Sequence, residues 1–551
     1  MKMVLKGHGR RIRKILRWLF GIILVLAVVF HRLIIDTAKA AYGDYMIATI
    51  ADKLEYKEVS LTKEQMIEDL DYLYGAAVEN TLTTEYAEKY YDVDYDQIYD
   101  TFKKRILNCR DEYEFTSLLI ALDAKLPGGH SAMSAPMDKP KTEFPMGELT
   151  NKETWEINYS LCRQFEDRMG EYDQKGAVAV YYDGDYVLQD YSFSNFDTIE
   201  GIDNSRLISL NGKPVSDVIR DVDTLHHWRY DESSDSVFVA NIIFNDGIGE
   251  KYDAEIQLPD RTTVHKDLYV SPEYNMAYYY RSRLYPDHYK KSESDSDSED
   301  QLSYTIESDP DRKLVYARFK SCKSEDTMQL KTDLRKALED IDAENVILDF
   351  RNNGGGVFTY VTEGVLATVL DHDIVNINTA VASENKYAKA YYDNKFYGLL
   401  GSVRKSGGLY YLKEDFSVKG EADKPYNIYA LVNHSTFSSG DVFAYLAKQD
   451  GITLIGQNTG GDGLSGNPLE SYLPNSRLQF TFVCSKSEAY PEDCYAGVSP
   501  DYYVSMNWED VLEVNEMFPD NESGEHSTYE NKQKWDDCLI KALELIDENN
   551  G

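Results

Sequence analysis

Val346-Ile347-Leu348-Asp349-Phe350-Arg351-Asn352-Asn353-Gly354-Gly355-Gly356 lies toward the end of the middle third of this chain. An apolar run ends abruptly in three glycines, and apolar residues at helical spacing follow from Val357 to Leu370. The pattern predicts a buried strand, an open turn and a helix. Glycine lets the backbone present its N–H groups, and a helix N-terminus adds a partial positive charge, so the turn suits an oxyanion or a phosphate. No Lys-Ser/Thr pair follows the glycines, which disfavours a nucleotide P-loop.

Outward from this stretch the texture stays α/β. Leu314–Phe319, Ile428–Val432 and Ile452–Ile455 read as strands; Met328–Ile341 and Val442–Ala447 read as helices; Trp535, Leu539, Ala542, Leu543 and Ile546 repeat at the spacing of a terminal helix. A second strand-to-helix turn, Asn433-His434-Ser435-Thr436-Phe437-Ser438-Ser439-Gly440-Asp441, places a serine where its hydroxyl can stand in the open. The N–H of the next residue, Ser439, points at the same place. Alone this is also what an ordinary serine helix cap looks like.

Toward the N-terminus, Leu61–Ala124 carries apolar residues at three- and four-residue intervals and ends at Pro127-Gly128-Gly129, which predicts a helical domain over residues 45–130. Residues 154–268 change to short β-like runs with acidic turns. Within them Leu207–Ile219 (LISLNGKPVSDVI) sets an Asn-Gly turn between two strands or between a strand and a helix. Residues 290–301 (KKSESDSDSEDQ) lack apolar side chains and read as an acidic linker. At the start, residues 1–17 are basic and Trp18–Phe30 is uninterrupted and apolar. The expectation is a transmembrane signal-anchor over 18–35, giving a single-pass cell-membrane protein with its body outside, or a signal peptide cleaved near Ala38-Lys39-Ala40, giving a secreted one.

The chain has 551 residues and a net charge of -37, which repels nucleic acid and argues against DNA or RNA as a partner. Six scattered cysteines make no disulfide framework, although Cys484 and Cys494 are spaced to bridge or to remain thiols. No C-x-x-C or H-E-x-x-H occurs, and His226-His227-Trp228 has no partner at ligand spacing, so no metal site is read and no cofactor is implied.

Four stretches together, ILDFRNNGGG, TFSSGDVFA, LIGQNTGGDG and GVSPDYYV (Gly497–Val504), resemble the catalytic core of the C-terminal processing and tricorn-core family of serine peptidases. LDAKLPGGHSA, ending the helical region, is similar to the family's N-terminal domain, and ISLNGKPV to the end of its PDZ-like insert. The resemblance implies a multidomain α/β protein: an N-terminal helical domain, a PDZ-like β-rich insert over 154–268, and a crotonase-like core over 305–550 with a C-terminal helix. It implies Ser438 as nucleophile, with Ser439 and Gly355 or Gly356 giving the oxyanion hole. One branch of the family uses lysine as base, but the loop Thr459–Leu464 has none. The other uses a histidine, and His130 stands in that position. The family's orienting acid comes shortly before GVSPD, where Cys494 occupies the expected place, leaving Glu492 or Asp493; Ser131 is a further candidate to orient the imidazole. The implied activity is hydrolysis of peptides or unfolded protein tails. A binding protein that has lost catalysis through the changed acid, and an esterase using the same pair, are the alternatives. Oligomeric state is left open.

Overall fold

The computed structural model describes residues 49–50, 53–134, 136, 152–169, 175–189, 198–276, 302–392, 403–462, 468–488, 492–518 and 528–550. The basic segment 1–17, the apolar segment 18–35 and the linker 290–301 lie outside them. The expectation of a single-pass membrane protein is corrected: no helix among the described residues is long and apolar enough to cross a membrane.

Two units can be distinguished. One comprises Met1–Ser60, Pro136–Glu166 and Ser476–Leu478. Within it Lys57 Nζ donates to Glu156 (2.7 Å), the Lys57 N–H to Ser160 Oγ (2.9 Å) and Asn158 Nδ2 to the Arg477 carbonyl (2.6 Å). The expected β-rich character of residues from 154 onward is corrected here, because Lys152–Met169 is a helix. Trp155, Asn158, Leu161, Cys162 and Phe165 follow a three-to-four-residue period with no glycine or proline to interrupt it.

The second unit holds everything else and contains the site. Its helices α1 (Lys63–Tyr74), α2 (Thr84–Tyr91), α3 (Tyr95–Asn108) and α4 (Glu112–Asp123) occupy the region read as helical. Each start has a chemical cause where the cap is polar: Thr62 and Gln65 form a reciprocal capping box, and Asp94 and Asp111 accept from Gln97 and Glu114 backbone N–H groups.

A seven-stranded antiparallel sheet follows, formed by β1 (Gly176–Tyr182), β2 (Asp185–Gln189), β3 (Ser205–Leu210), β4 (Lys213–Pro214), β5 (Asn241–Asn245), β6 (Glu250–Gln257) and β7 (Thr263–Val270), in the order β2-β1-β5-β7-β6-β3-β4. An additional β2–β3 pairing closes it on itself, so β2 is no longer a free edge. Asn211 and Gly212 have φ of 53° and 73°, the two left-handed residues a tight hairpin turn needs, so the Asn-Gly signal resolves into the β3–β4 hairpin with a short helix, Val215–Val218, behind it.

The core sheet runs β8-β9-β10-β11-β12-β13, from Tyr304–Asp309, Leu314–Phe319, Asn345–Asp349, Asn427–Val432, Thr453–Gly456 and Tyr502–Tyr503. All strands after β9 pair in parallel; β8 is the antiparallel edge. Alternation puts Val346, Leu348, Ala430, Val432 and Leu454 on one face, against α5 (Thr327–Asp340), the turns Tyr360–Val369 and α6 (Ser439–Gln449). Ile347, Tyr429, Leu431 and Ile455 face α7 (Asp537–Asn550) through Leu539, Ala542, Leu543 and Ile546. With both faces covered, the central strands read as continuous apolar runs, as VILDF and IYALV do. The carboxyl ends of β10, β11 and β12 are adjacent, so the loops that leave them meet along one edge of the sheet, the usual place for a site in such folds. Cys484 and Cys494 are both thiols.

Candidate active site

The loop after β10 is anchored from below. Asp349 is buried, and Arg351 donates Nε to its Oδ1 (2.9 Å) and Nη2 to its Oδ2 (2.7 Å), while Nη1 and Nη2 also reach Asp536 at 2.6 Å each. Burial by itself would raise the Asp349 carboxyl, but Arg351 and then Lys532 hold it well below the usual carboxylate range. The loop after β11 is stitched to it: Thr436 Oγ1 donates to the Phe350 carbonyl (2.8 Å), the Phe437 N–H to the Asn353 carbonyl (2.9 Å), the Asn352 backbone N–H to Asn433 Oδ1 (3.0 Å) and Asn433 Nδ2 to Asn352 Oδ1 (2.9 Å). The loop after β12 joins through the Gly460 N–H to the Thr436 carbonyl (2.8 Å).

This lattice holds Ser438 at φ 56°, ψ -120°, a conformation L side chains rarely adopt and one that persists only where surrounding structure enforces it. It is the residue before α6, so its hydroxyl stands at a helix N-terminus. The Ser439 N–H, in the first turn, has no intrahelical acceptor to bond. Gly355, at φ 97°, lies directly against this turn: a Cβ there would be 2.6 Å from Ser438 Cβ, 2.8 Å from the Phe437 carbonyl oxygen and 3.1 Å from the Ser439 nitrogen. Only glycine permits that approach. The Gly355 N–H, however, is donated to Asn353 Oδ1 (2.8 Å), which corrects its expected place as an oxyanion donor. The bridge to Cys322 uses the Cys322 and Val357 N–H groups and not that of Gly356.

His130 comes to the same point from the loop after α4. That loop turns at Gly128 (φ 88°), and Ser131 Oγ donates to the Pro127 carbonyl (3.0 Å), so Ser131 braces the turn and does not orient the ring. Thr481 Oγ1 donates to the His130 carbonyl (2.8 Å), and Ala132–Met133 pairs with Phe480 and Thr481. His130 Nε2 lies 2.9 Å from Ser438 Oγ. On the opposite side Asp462 Oδ2 accepts from the His130 backbone N–H (2.6 Å) and from Nδ1 (2.5 Å). A carboxylate can only accept from Nδ1, so the ring proton sits there and the Nε2 lone pair faces the serine hydroxyl. Burial, the largest single influence, pushes the imidazole down; the charge and hydrogen bond of Asp462, with a smaller contribution from Asp441, outweigh it and leave the His130 pKa above its ordinary value.

Asp462 is the acid that sequence reasoning missed. It lies in LIGQNTGGDG, the stretch that carries no lysine, and has φ 62° beside Gly461 at φ 75°, so it reads as a turn aspartate. Glu492, expected in this role, belongs to the 3-10 turn Glu492–Ala496, and its side chain and that of Asp493 lie outside the described residues. Cys494 packs at the margin of the apolar core beneath the sheet. His227 Nε2 bonds the Ser131 carbonyl (2.7 Å), and among the described residues no cluster of metal-ligating side chains occurs.

Residues 313–504 match the model of Peptidase family S41. No curated protein matches the chain. Among solved structures it is similar to mature CPAF complexed with lactacystin, at 14% identity over 88% of this chain and 99% of that one, TM-score 0.49. It is similar also to the photosystem II D1 C-terminal processing protease, at 16% identity over 81% and 94%, TM-score 0.34. The tricorn protease aligns at 14% identity over 82% of this chain and 35% of that one, TM-score 0.30. The match over residues 313–504 identifies that part of the chain as a region of peptidase family S41, a family of serine-type C-terminal processing peptidases.

Proposed function

We propose that the protein hydrolyses peptide bonds through an acyl-enzyme on Ser438, with His130 as general base and Asp462 as the acid that orients it. The observation that carries this reading is the 2.9 Å contact between His130 Nε2 and Ser438 Oγ, made by a ring whose other nitrogen is fixed on a buried carboxylate. Nε2 takes the hydroxyl proton as Oγ attacks the substrate carbonyl carbon. The imidazolium so formed is stabilised by Asp462 and returns its proton to the leaving amine. Water then attacks the ester by the same route in reverse. The Ser439 and Gly356 N–H groups receive the oxyanion; one such donor is worth ~2.7–4 kcal/mol in the transition state.

The wider reading is a crotonase-like core over 305–550 served by an N-terminal helical domain and a PDZ-like β module. It is supported by the motifs that resemble the family and by a site built at the carboxyl ends of parallel strands. Peptides or unfolded protein tails are the substrates this reading supplies. The test is release of fragments from a denatured, fluorescently labelled protein by the native chain and by Ser438→Ala. Fragments from the native chain alone support the proposal; equal release from both, or release from neither with both folded, would refute it.

A further inference from the structure

His226-His227-Trp228, set aside as a metal motif, continues into Arg229, and these residues line a cavity of about 140 Å³ that Asp462, Phe437 and Gly460 also border. Three consecutive side chains contribute a fully buried nitrogen without a hydrogen-bond partner: His227 Nδ1, Trp228 Nε1 and Arg229 Nη1. Trp228 is only 4% exposed. A buried polar nitrogen left unpaired is costly, more so when it is charged, so two unmet donors and one unmet acceptor in one place describe a site whose partner is something other than the chain. Arg229 is held there by design of its surroundings. Its guanidinium lies over the Phe437 ring, 5.4 Å from the centroid, and a Cβ at Gly460 would collide with Nη1. Burial works against its charge, and Tyr91 and Asp462 offset that only in part, leaving its pKa below the ordinary value.

The donor set defines the ligand. Arg229 and Trp228 can only donate. His227 gives its Nε2 proton to the Ser131 carbonyl, so neutral Nδ1 is an acceptor. The volume, at about 30 Å³ per water, holds four or five waters or one ion of three to five heavy atoms. We infer that the cavity beside Asp462 binds a small oxyanion of monocarboxylate or hydrogencarbonate size, its oxygens on Arg229 Nη1 and Trp228 Nε1. An anion that also carries an O–H can donate it to His227 Nδ1, which favours hydrogencarbonate over acetate. Binding does not require turnover; its influence on the reaction, through Asp462, rests on the mechanism proposed above.

The test uses the full chain bearing Ser438→Ala, so that peptidase activity plays no part in the readout. Thermal unfolding at pH 8 is followed with sodium hydrogencarbonate or sodium acetate, sodium chloride holding ionic strength constant. The expected result is a saturable rise in midpoint for both, at lower concentration for hydrogencarbonate, lost on adding Arg229→Gln. Trp228→Phe, which keeps the ring and deletes the N–H, should weaken half-saturation about fivefold or more, and it decides the matter if Arg229→Gln does not fold. Chloride-like responses to both oxyanions, or half-saturation unchanged in Trp228→Phe and Arg229→Gln, would overturn the inference. Fluorophosphonate labelling of the chain with Ser438 intact stands or falls independently of this result.

Discussion

Replacing Asp462 by asparagine isolates the charge of the acid from its shape. Both contacts to His130, from the backbone N–H at 2.6 Å and Nδ1 at 2.5 Å, end on the single atom Oδ2, and a carboxamide oxygen can accept both. Residue 462 has φ 62°, which asparagine tolerates as well as aspartate, and Thr481 still holds the His130 carbonyl. The fold and the ring orientation should therefore survive. What disappears is the counter-charge to the imidazolium that forms when Ser438 loses its proton. Charge centres ~4 Å apart at an effective dielectric of ~20 interact by about 4 kcal/mol. That is about a thousandfold in rate, and should the amide group turn its NH₂ toward Nδ1 the tautomer reverses and the loss grows to about 10⁴, the scale seen for the equivalent change in a serine triad. The assay is the second-order rate of fluorophosphonate labelling at pH 8, with circular dichroism and thermal unfolding run on the same samples. A folded Asp462→Asn protein that labels within tenfold of the native rate would refute the assignment of Asp462.

Other consequences follow from the same geometry. Because the His130 pKa lies above its ordinary value of ~6.5, and only the neutral ring can accept the serine proton, labelling should fall as pH drops through a midpoint above 6.5; Asp462→Asn should move that midpoint down, as a rate profile between pH 5 and 9 will show. Gly355→Ala would force a Cβ to 2.6 Å from Ser438 Cβ at a backbone φ of 97°, so labelling should drop at least a hundredfold with only a modest fall in thermal midpoint. Arg351→Met takes the shared guanidinium from buried Asp349 and Asp536, leaving Asp349 only Lys532 and Tyr316, and should lower stability by about 3–5 kcal/mol, measured by urea unfolding.

Much of the core could be read before any coordinates, because its signals are local. VILDF and IYALV are buried on both faces and so carry no alternation to confuse with a helix, and the glycines after β10 mark a backbone approach that Gly355 in fact makes. Ser438 and His130 were legible only through the resemblance, since neither sits in a pattern that distinguishes it from a capping serine or a loop histidine. Asp462 was not legible. It meets His130, 332 residues away in sequence, only because β12 pairs with β11 in the register Leu431 to Ile455 and α4 delivers the other partner. Nothing at Thr459–Asp462 itself specifies those neighbours. Lys152–Met169 was misread for the opposite reason: its helical period was present in the residues but was overshadowed by the strand-like runs that follow. Arg229 has no signature in the sequence, because what encloses its Nη1 comes from Phe437 and Gly460, far from it along the chain.

The central claim is that Ser438 is activated by His130, and it is tested most directly by intact-mass detection of fluorophosphonate labelling in the native chain, Ser438→Ala and His130→Ala. The account predicts one adduct per native chain, located on Ser438, and none in either folded variant. A native chain that folds and takes no label, or a His130→Ala chain that labels at the native rate, would contradict it.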